Sequence, residues 1–228
     1  MKKTIALLLF SAYVSSEILI HTSNYIDGIN DRVLKKASIV VGDDGRIKSI
    51  SSGYKNSNGY EYVDLRDFVV MPGLMDMHVH FGQQNVSKAE KPEKVEKEYS
   101  AIAAVKHARM TLDGGFTTVR QVGDSGFIAI SLRDAIKNGD AVGPRIFAAG
   151  KSLATTGGHA DPTNGRAFGD YVYPDPESGV VNGPYEVFAG VRQRYKDGAD
   201  GIKITVTGGV MSLACLLYTS PSPRDQSG

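Results

Sequence analysis

Cysteine is nearly absent: the chain has one, Cys215, among 228 residues. That excludes a disulfide framework and any zinc site built from several thiolates. A metal ion would have to be held by histidine, aspartate, glutamate or a modified lysine. Excess charge is absent too, since 26 basic and 25 acidic side chains leave a formal net charge of +1. With no basic run, nucleic acid meets no electrostatic footprint. No glycine-rich phosphate loop follows a strand, so nucleotide binding has no support. No repeat of fixed period is present. The apolar run at residues 5–14 is too short to span a bilayer comfortably.

What is present is an ordinary globular composition, 41% hydrophobic and 22% charged, which argues against a disordered chain. The two ends stand apart from the rest. Lys2 and Lys3, the apolar run, and then Ser15 and Ser16 follow the order of a secretory signal peptide over residues 1–16. A buried first strand is the other reading, disfavoured because a new strand-like run begins at Ile18. At the other end, residues 215–228 read CLLYTSPSPRDQSG. They resemble the in-frame translation of a sequencing adapter, so they are expected to be an artefactual tail; a Ser/Pro-rich disordered terminus is the alternative. Cys215 falls in this tail and says nothing of redox compartment.

Between the ends the rhythm changes once. Residues 17–71 read as short strands: 18–20, 37–41 and 47–50, with Asp44-Gly45 as a tight hairpin turn, then Val63 and 68–71. This predicts a small β-sandwich, too small to stand alone. Pro72-Gly73 marks a boundary. Residues 72–214 then alternate strand and helix: strands at 74–80, 117–122, 145–149 and 201–207, helices at 93–113, 127–138 and 184–198. Val95, Tyr99, Ile102, Ala103 and Met110 form the expected apolar face of the first helix. The alternation predicts an α/β fold of βαβ units around a parallel sheet.

The chemistry gathers at strand ends. His78 and His80 are two apart on the first parallel strand, so both imidazoles project to one face. Strand C-terminal ends are where parallel α/β folds place their sites. Two neutral imidazoles at that spacing can hold one zinc-class ion. Asp76, on the same face, is a candidate for orienting a ligand histidine. His159 follows Gly157-Gly158 in a long loop; binding of a substrate carboxylate or carbonyl and plain solvent exposure stand equal. Lys203, by spacing alone, reads as a strand lysine with its head in solvent. His107 and His21 read as surface or structural, Asp124 as a helix N-cap. Tyr171, Tyr173 and Tyr185 read as packing residues.

The run Met71-Pro72-Gly73-Leu74-Met75-Asp76-Met77-His78-Val79-His80 resembles the opening signature of the amidohydrolase superfamily. Gly114-Gly115-Phe116-Thr117-Thr118-Val119-Arg120, Gly143-Pro144-Arg145, Thr156-Gly157-Gly158-His159 and Ile202-Lys203 with Thr207-Gly208-Gly209-Val210 follow in order. Together they are similar to the imidazolonepropionase-like branch, which includes secreted Xaa-Pro dipeptidase relatives. Gln121 departs from the aspartate these relatives often carry after the arginine. The resemblance implies the first half, strands one to four, of a (β/α)8 TIM barrel beside the small β-sandwich. It also implies one or two divalent ions, zinc above all, held by His78, His80 and a carboxylated Lys203. A lysine ammonium cannot ligate a cation, whereas its carbamate is an anionic ligand with two oxygens.

The expected activity is hydrolysis of an amide-type C–N bond, in a dipeptide or a cyclic amide, by metal-activated water. The general base would lie beyond residue 228, so no catalytic residue is identified. The alternatives are a truncated, catalytically incomplete fragment and a non-enzymatic binding module. The expected partner is the small substrate, with no nucleic acid and no membrane after signal cleavage. The expected location is secreted or periplasmic.

Overall fold

The computed structural model describes residues 17–83, 97–166, 169 and 173–208. The signal-like segment, the tail, Val95, Tyr171 and Gly209-Val210 lie outside the described residues. The chain divides into two compact units, Met1–Pro72 and Gly73–Gly228. Among the described residues no helix is long and apolar enough to cross a membrane.

The described part of the first unit is one four-stranded sheet in the order β3-β2-β1-β4. It comprises β1 (Ile18–Tyr25), β2 (Leu34–Val41), β3 (Ile47–Ser52) and β4 (Glu61–Val70). The two short runs expected around Val63 and Phe68 are one continuous strand. It pairs in parallel with β1 and absorbs a register shift between Thr22 and Asn24. The β2–β3 turn is the hairpin that Asp44-Gly45 signals. Gly45 has φ 71°, a left-handed conformation that glycine adopts without a Cβ penalty. Leu19, Ala37, Ile39 and Val40 are the buried apolar residues of this sheet. His21 is buried beside them, its Nδ1 3.1 Å from the Tyr62 hydroxyl.

The second unit carries the βα rhythm. Strands β5 (Leu74–Val79), β6 (Phe116–Gln121) and β7 (Arg145–Ala148) form a parallel sheet in that order. Helices α1 (Lys97–Asp113) and α2 (Ile128–Asn138) connect them. Both helices end on glycines in the left-handed region, Gly115 at φ 88° and Gly139 at φ 84°. This is the usual way to finish a helix without a steric penalty. The core alternates along the strands as a half-covered sheet requires. Val79, Val119, Ile146 and Ala148 are buried together with Ile128, Ala129, Ile130 and Leu132 of α2. The alternate positions Arg120 and Phe147 are exposed on the other side, and in β5 the alternation is interrupted by a register shift between Asp76 and Val79.

The buried face of α1 differs from the one its large apolar residues suggest. Tyr99, Ile102 and Met110 are 66%, 72% and 60% exposed, whereas Ala104 and Ala108 are fully buried. Small residues let the helix axis approach the sheet closely, so the alanine stripe, with Ala101 at its edge, is the face that packs. His107 lies at the border of that stripe. It is half-buried, with Nδ1 3.0 Å from the Phe81 carbonyl; it is not a surface residue.

The fourth strand is shorter than its sequence suggests. Only β9 (Ile204–Thr205) has strand geometry, and it pairs in parallel with β8 (Leu153–Ala154). The reason is Asp200. Its amide donates to the Ala148 carbonyl (2.7 Å), and its carboxylate accepts from the Ala148 amide (2.9 Å). A side chain thus takes the place of a ladder acceptor at the end of β7, and Arg133 holds the same carboxylate at 2.7 Å.

Helix α3 (Pro184–Lys196) has Pro184 in its first turn, where no intrahelical N–H is needed. Its buried positions are Gly190 and Arg194. Tyr185, like Tyr173 in the preceding loop, is more than 80% exposed, so neither tyrosine packs. Arg194 is fully buried and reaches across to the loops. Its guanidinium donates to the carbonyls of Lys151 (3.2 Å), Glu177 (2.6 Å) and Pro176 (3.4 Å).

Candidate metal centre

His78 and His80 project from the C-terminal end of β5 toward one point. Their Nε2 atoms stand 3.2 Å apart, with the rings at 65° to each other. Two nitrogens bound to one tetrahedral ion at about 2.0–2.1 Å lie about 3.3–3.4 Å apart. The pair therefore holds the separation a zinc-class ion requires, and the donor chemistry fits such an ion. His80 Nδ1 lies 3.2 Å from the Gly123 carbonyl. A carbonyl only accepts, so Nδ1 carries the ring proton and Nε2 keeps its lone pair. The His78 pKa lies below the ordinary imidazole value. Desolvation is the largest cause, followed by the Lys203 ammonium and then His80. Each favours the neutral ring that a metal needs.

Lys203, just before β9, lines the same cleft as the two histidines. Among the described residues no group of three His, Cys, Asp or Glu side chains could hold a metal ion. Two imidazoles do not complete a four-coordinate shell. Lys203, which the family resemblance offers as a further ligand, lines this cleft as well. As an ammonium it would repel a dication.

Asp76 acts on the backbone rather than on an imidazole. Its carboxylate accepts from the His78 amide at 2.9 Å. This fixes the strand just before the first histidine and leaves the ring free.

The cleft measures about 600 Å³ and also takes in Gly123, Asp124 and His159. His159 is exposed on its rim. The loop that carries it is built around Asp161, a buried carboxylate that accepts from the Gly157 amide (2.7 Å) and from the Thr163 hydroxyl (2.7 Å) and amide (2.9 Å). Burial pushes the Asp161 carboxyl up, but these donors outweigh it and leave its pKa below the usual value. Asp124 caps α2: its carboxylate accepts from the amides of Ala129 (2.6 Å) and Gly126 (3.3 Å). Here burial wins over the amide hydrogen bonds, and the carboxyl is pushed up.

Both carboxylates of the cleft are thus occupied by backbone groups of their own loops. Lys97, Lys151, Arg166 and Lys203 line the same space. The cleft presents a surplus of positive charge to whatever enters it.

Sequence reasoning missed Gln121 and His107, whose side chains hold the backbone next to His80, and Arg194, which holds the cleft loops. The alanine spacing 101, 104, 108 places His107 at a packed face. Gln121 is marked only as a departure from the aspartate its relatives often carry, and no local signal marks Arg194, whose carbonyl partners lie 17 to 43 residues away.

The amidohydrolase family model matches residues 69–215. Ochratoxinase from Aspergillus niger is 31% identical over 159 residues, which is 63% of this chain and 32% of that protein. A Xaa-Pro dipeptidase crystallised with methionine in its active site is 66% identical, with a TM-score of 0.84 over 87% of this chain and 49% of its own. A prolidase complexed with N-methylphosphonate-L-proline is 30% identical, with a TM-score of 0.76 over 92% of this chain and 51% of its own. The chain thus spans about half the length of the two solved relatives and about a third of ochratoxinase. The βα units seen here are the first part of the TIM barrel those relatives share. The match of the family model covers more than half of the sequence and includes both histidines of β5, and by it this chain belongs to the amidohydrolase family.

Proposed function

We propose that the full-length protein hydrolyses the amide bond of a small dipeptide-like substrate, Xaa-Pro dipeptides first, at a centre held by His78, His80 and a carboxylated Lys203. The observation that carries the reading is the convergence of the two Nε2 atoms at 3.2 Å. The dipeptide class is supported by the 66% identity to a Xaa-Pro dipeptidase.

A zinc-class ion bound there supplies Lewis acidity to a scissile carbonyl and lowers the pKa of water. The chain's own residues do the rest. The Gly123 carbonyl accepts the hydrogen bond of His80 Nδ1–H and so fixes the tautomer. Desolvation, the largest cause, favours the neutral His78 ring. Carboxylation of Lys203 would convert a repelling cation into an anionic ligand. His159 and Arg166 both line the cleft, which supports a role for them in receiving the carboxylate of a dipeptide that the surplus positive charge draws in. The Lys2-Lys3, apolar, Ser15-Ser16 order supports secretion or periplasmic export.

The test is turnover by the purified full-length protein on a panel of dipeptides ending in proline, beside cyclic amides of the imidazolone and hydantoin kind. Release of free proline should cease on chelation and return with zinc. Proline release that ignores chelation would overturn the metal assignment; turnover of the cyclic amides alone would overturn the dipeptide assignment.

A further inference from the structure

We infer that Gln121 is a positioning residue for the metal centre, holding His80 in its ligand geometry through two backbone groups. The inference rests on the reading of His78 and His80 as ligands.

Gln121 ends β6 and is 1% exposed. A buried amide must find partners on both sides or leave a polar group unsatisfied. Its Oε1 accepts from the Phe81 amide at 2.9 Å, and its Nε2 donates to the Gly123 carbonyl at 3.2 Å. Phe81 is the residue directly after His80. The Gly123 carbonyl is the same one that faces His80 Nδ1. A carbonyl has two lone pairs and can take both donors. One side chain therefore fixes the backbone that carries His80 and the acceptor that sets its tautomer.

The surroundings leave little room for another arrangement. A Cβ placed on Gly123 would meet His80 Cε1 and Ser152 Oγ, each at 3.1 Å, so ring and loop are already in contact. The Phe81 carbonyl is held from the other side by His107, and the Phe81 ring is fully buried. Phe81, the residue after His80, is thus held at its amide by Gln121 and at its carbonyl by His107. Without Gln121, the Phe81 amide and half of the Gly123 carbonyl lose their partner in a dry environment, and the imidazole loses its fixed acceptor.

Two substitutions separate the contributions. Gln121→Met keeps the volume and removes both hydrogen bonds. Gln121→Glu keeps the acceptor for Phe81 and, as a carboxylate, cannot donate to Gly123. In the full-length protein, affinity for Zn²⁺ measured against a competing chelator should fall about 10–100-fold in Gln121→Met, the range for lost outer-sphere partners of metal ligands. It should fall in Gln121→Glu as well. The visible bands of bound Co²⁺ should shift in both, while the far-ultraviolet circular dichroism of the metal-free protein stays that of the parent. A Gln121→Met protein that binds Zn²⁺ as tightly as the parent, with unshifted Co²⁺ bands, overturns the role of Gln121 and leaves the ligand assignment intact. If Gln121→Met does not fold, Gln121→Glu decides alone: parent-like affinity and bands in that variant overturn the role. A parent protein that takes up neither ion overturns the ligand assignment itself, and the inference with it.

Discussion

Replacing His78 by alanine in the full-length protein should strip the bound ion and stop turnover, and Lys203→Ala should do the same. The expected loss of metal affinity exceeds the roughly 100-fold that a lost outer-sphere partner costs, because a ligand itself is removed. His78 and His80 are the only ring pair among the described residues whose nitrogens converge on one point in the cleft. With His78 gone, His80 loses the imidazole that converges with it. With Lys203 gone, the cleft keeps both imidazoles but loses the group that can turn anionic. The two variants should differ in one respect: Lys203→Ala regains part of its metal when a short-chain carboxylate is supplied, and His78→Ala does not. Metal content by atomic absorption, together with turnover, checks this. Full zinc occupancy and parent-like turnover in both variants would remove the assignment.

The second large effect belongs to stability. Arg194→Met should cost on the order of 3–5 kcal/mol, the range for removing one partner from a buried charged network. The guanidinium is fully buried, and its donors serve the carbonyls of Lys151, Pro176 and Glu177. Burial pulls its pKa down, against the pull of Asp197, Glu177 and Asp175. Methionine fills much of the volume but removes the guanidinium from the carbonyls of Lys151 and Pro176, while the Glu177 carbonyl keeps the Lys151 ammonium at 3.1 Å; each unsatisfied carbonyl costs about 1–3 kcal/mol. Arg194→Lys offers a compact ammonium in place of a planar fork, so it should recover only part of the loss. Because Lys151 and Ser178 line the cleft, turnover should fall along with stability. Denaturant titration measures the first and kinetics the second; a change below about 1 kcal/mol in Arg194→Met would show that the network is not needed.

Much of the architecture could be read from the chain. The period-two pattern with Asp44-Gly45 marks the first sheet, and Pro72-Gly73 stands at the division between the units. The Gly115 and Gly139 stops and the Pro184 start delimit the helices. His78 and His80 are legible because a strand forces residues two apart onto one face. What escaped the sequence depends on long-range contact. The face α1 buries is decided by how closely a helix can approach a sheet, so Ala104 and Ala108 win over Tyr99, Ile102 and Met110. The start of the fourth strand is delayed by the Asp200 carboxylate, which sits on Ala148 52 residues earlier. Gln121 stands out in the sequence only as a departure from the usual aspartate; its role emerges when its two partners are seen together.

The grip on Phe81 also orders events in time. Its amide is held from a residue 40 positions on, its carbonyl from one 26 on, and His80 leans on a carbonyl 43 on. None of these contacts exists in a nascent β5, and closing chain segments of that length precedes any reward from them. The paired imidazoles therefore reach their mutual distance only after α1 and β6 have docked. An ion offered during refolding should be captured with the last kinetic phase rather than the first, and a Co²⁺ signal that rises in the earliest phase would contradict that order. The centre is thus a product of the finished sheet, not a seed for it.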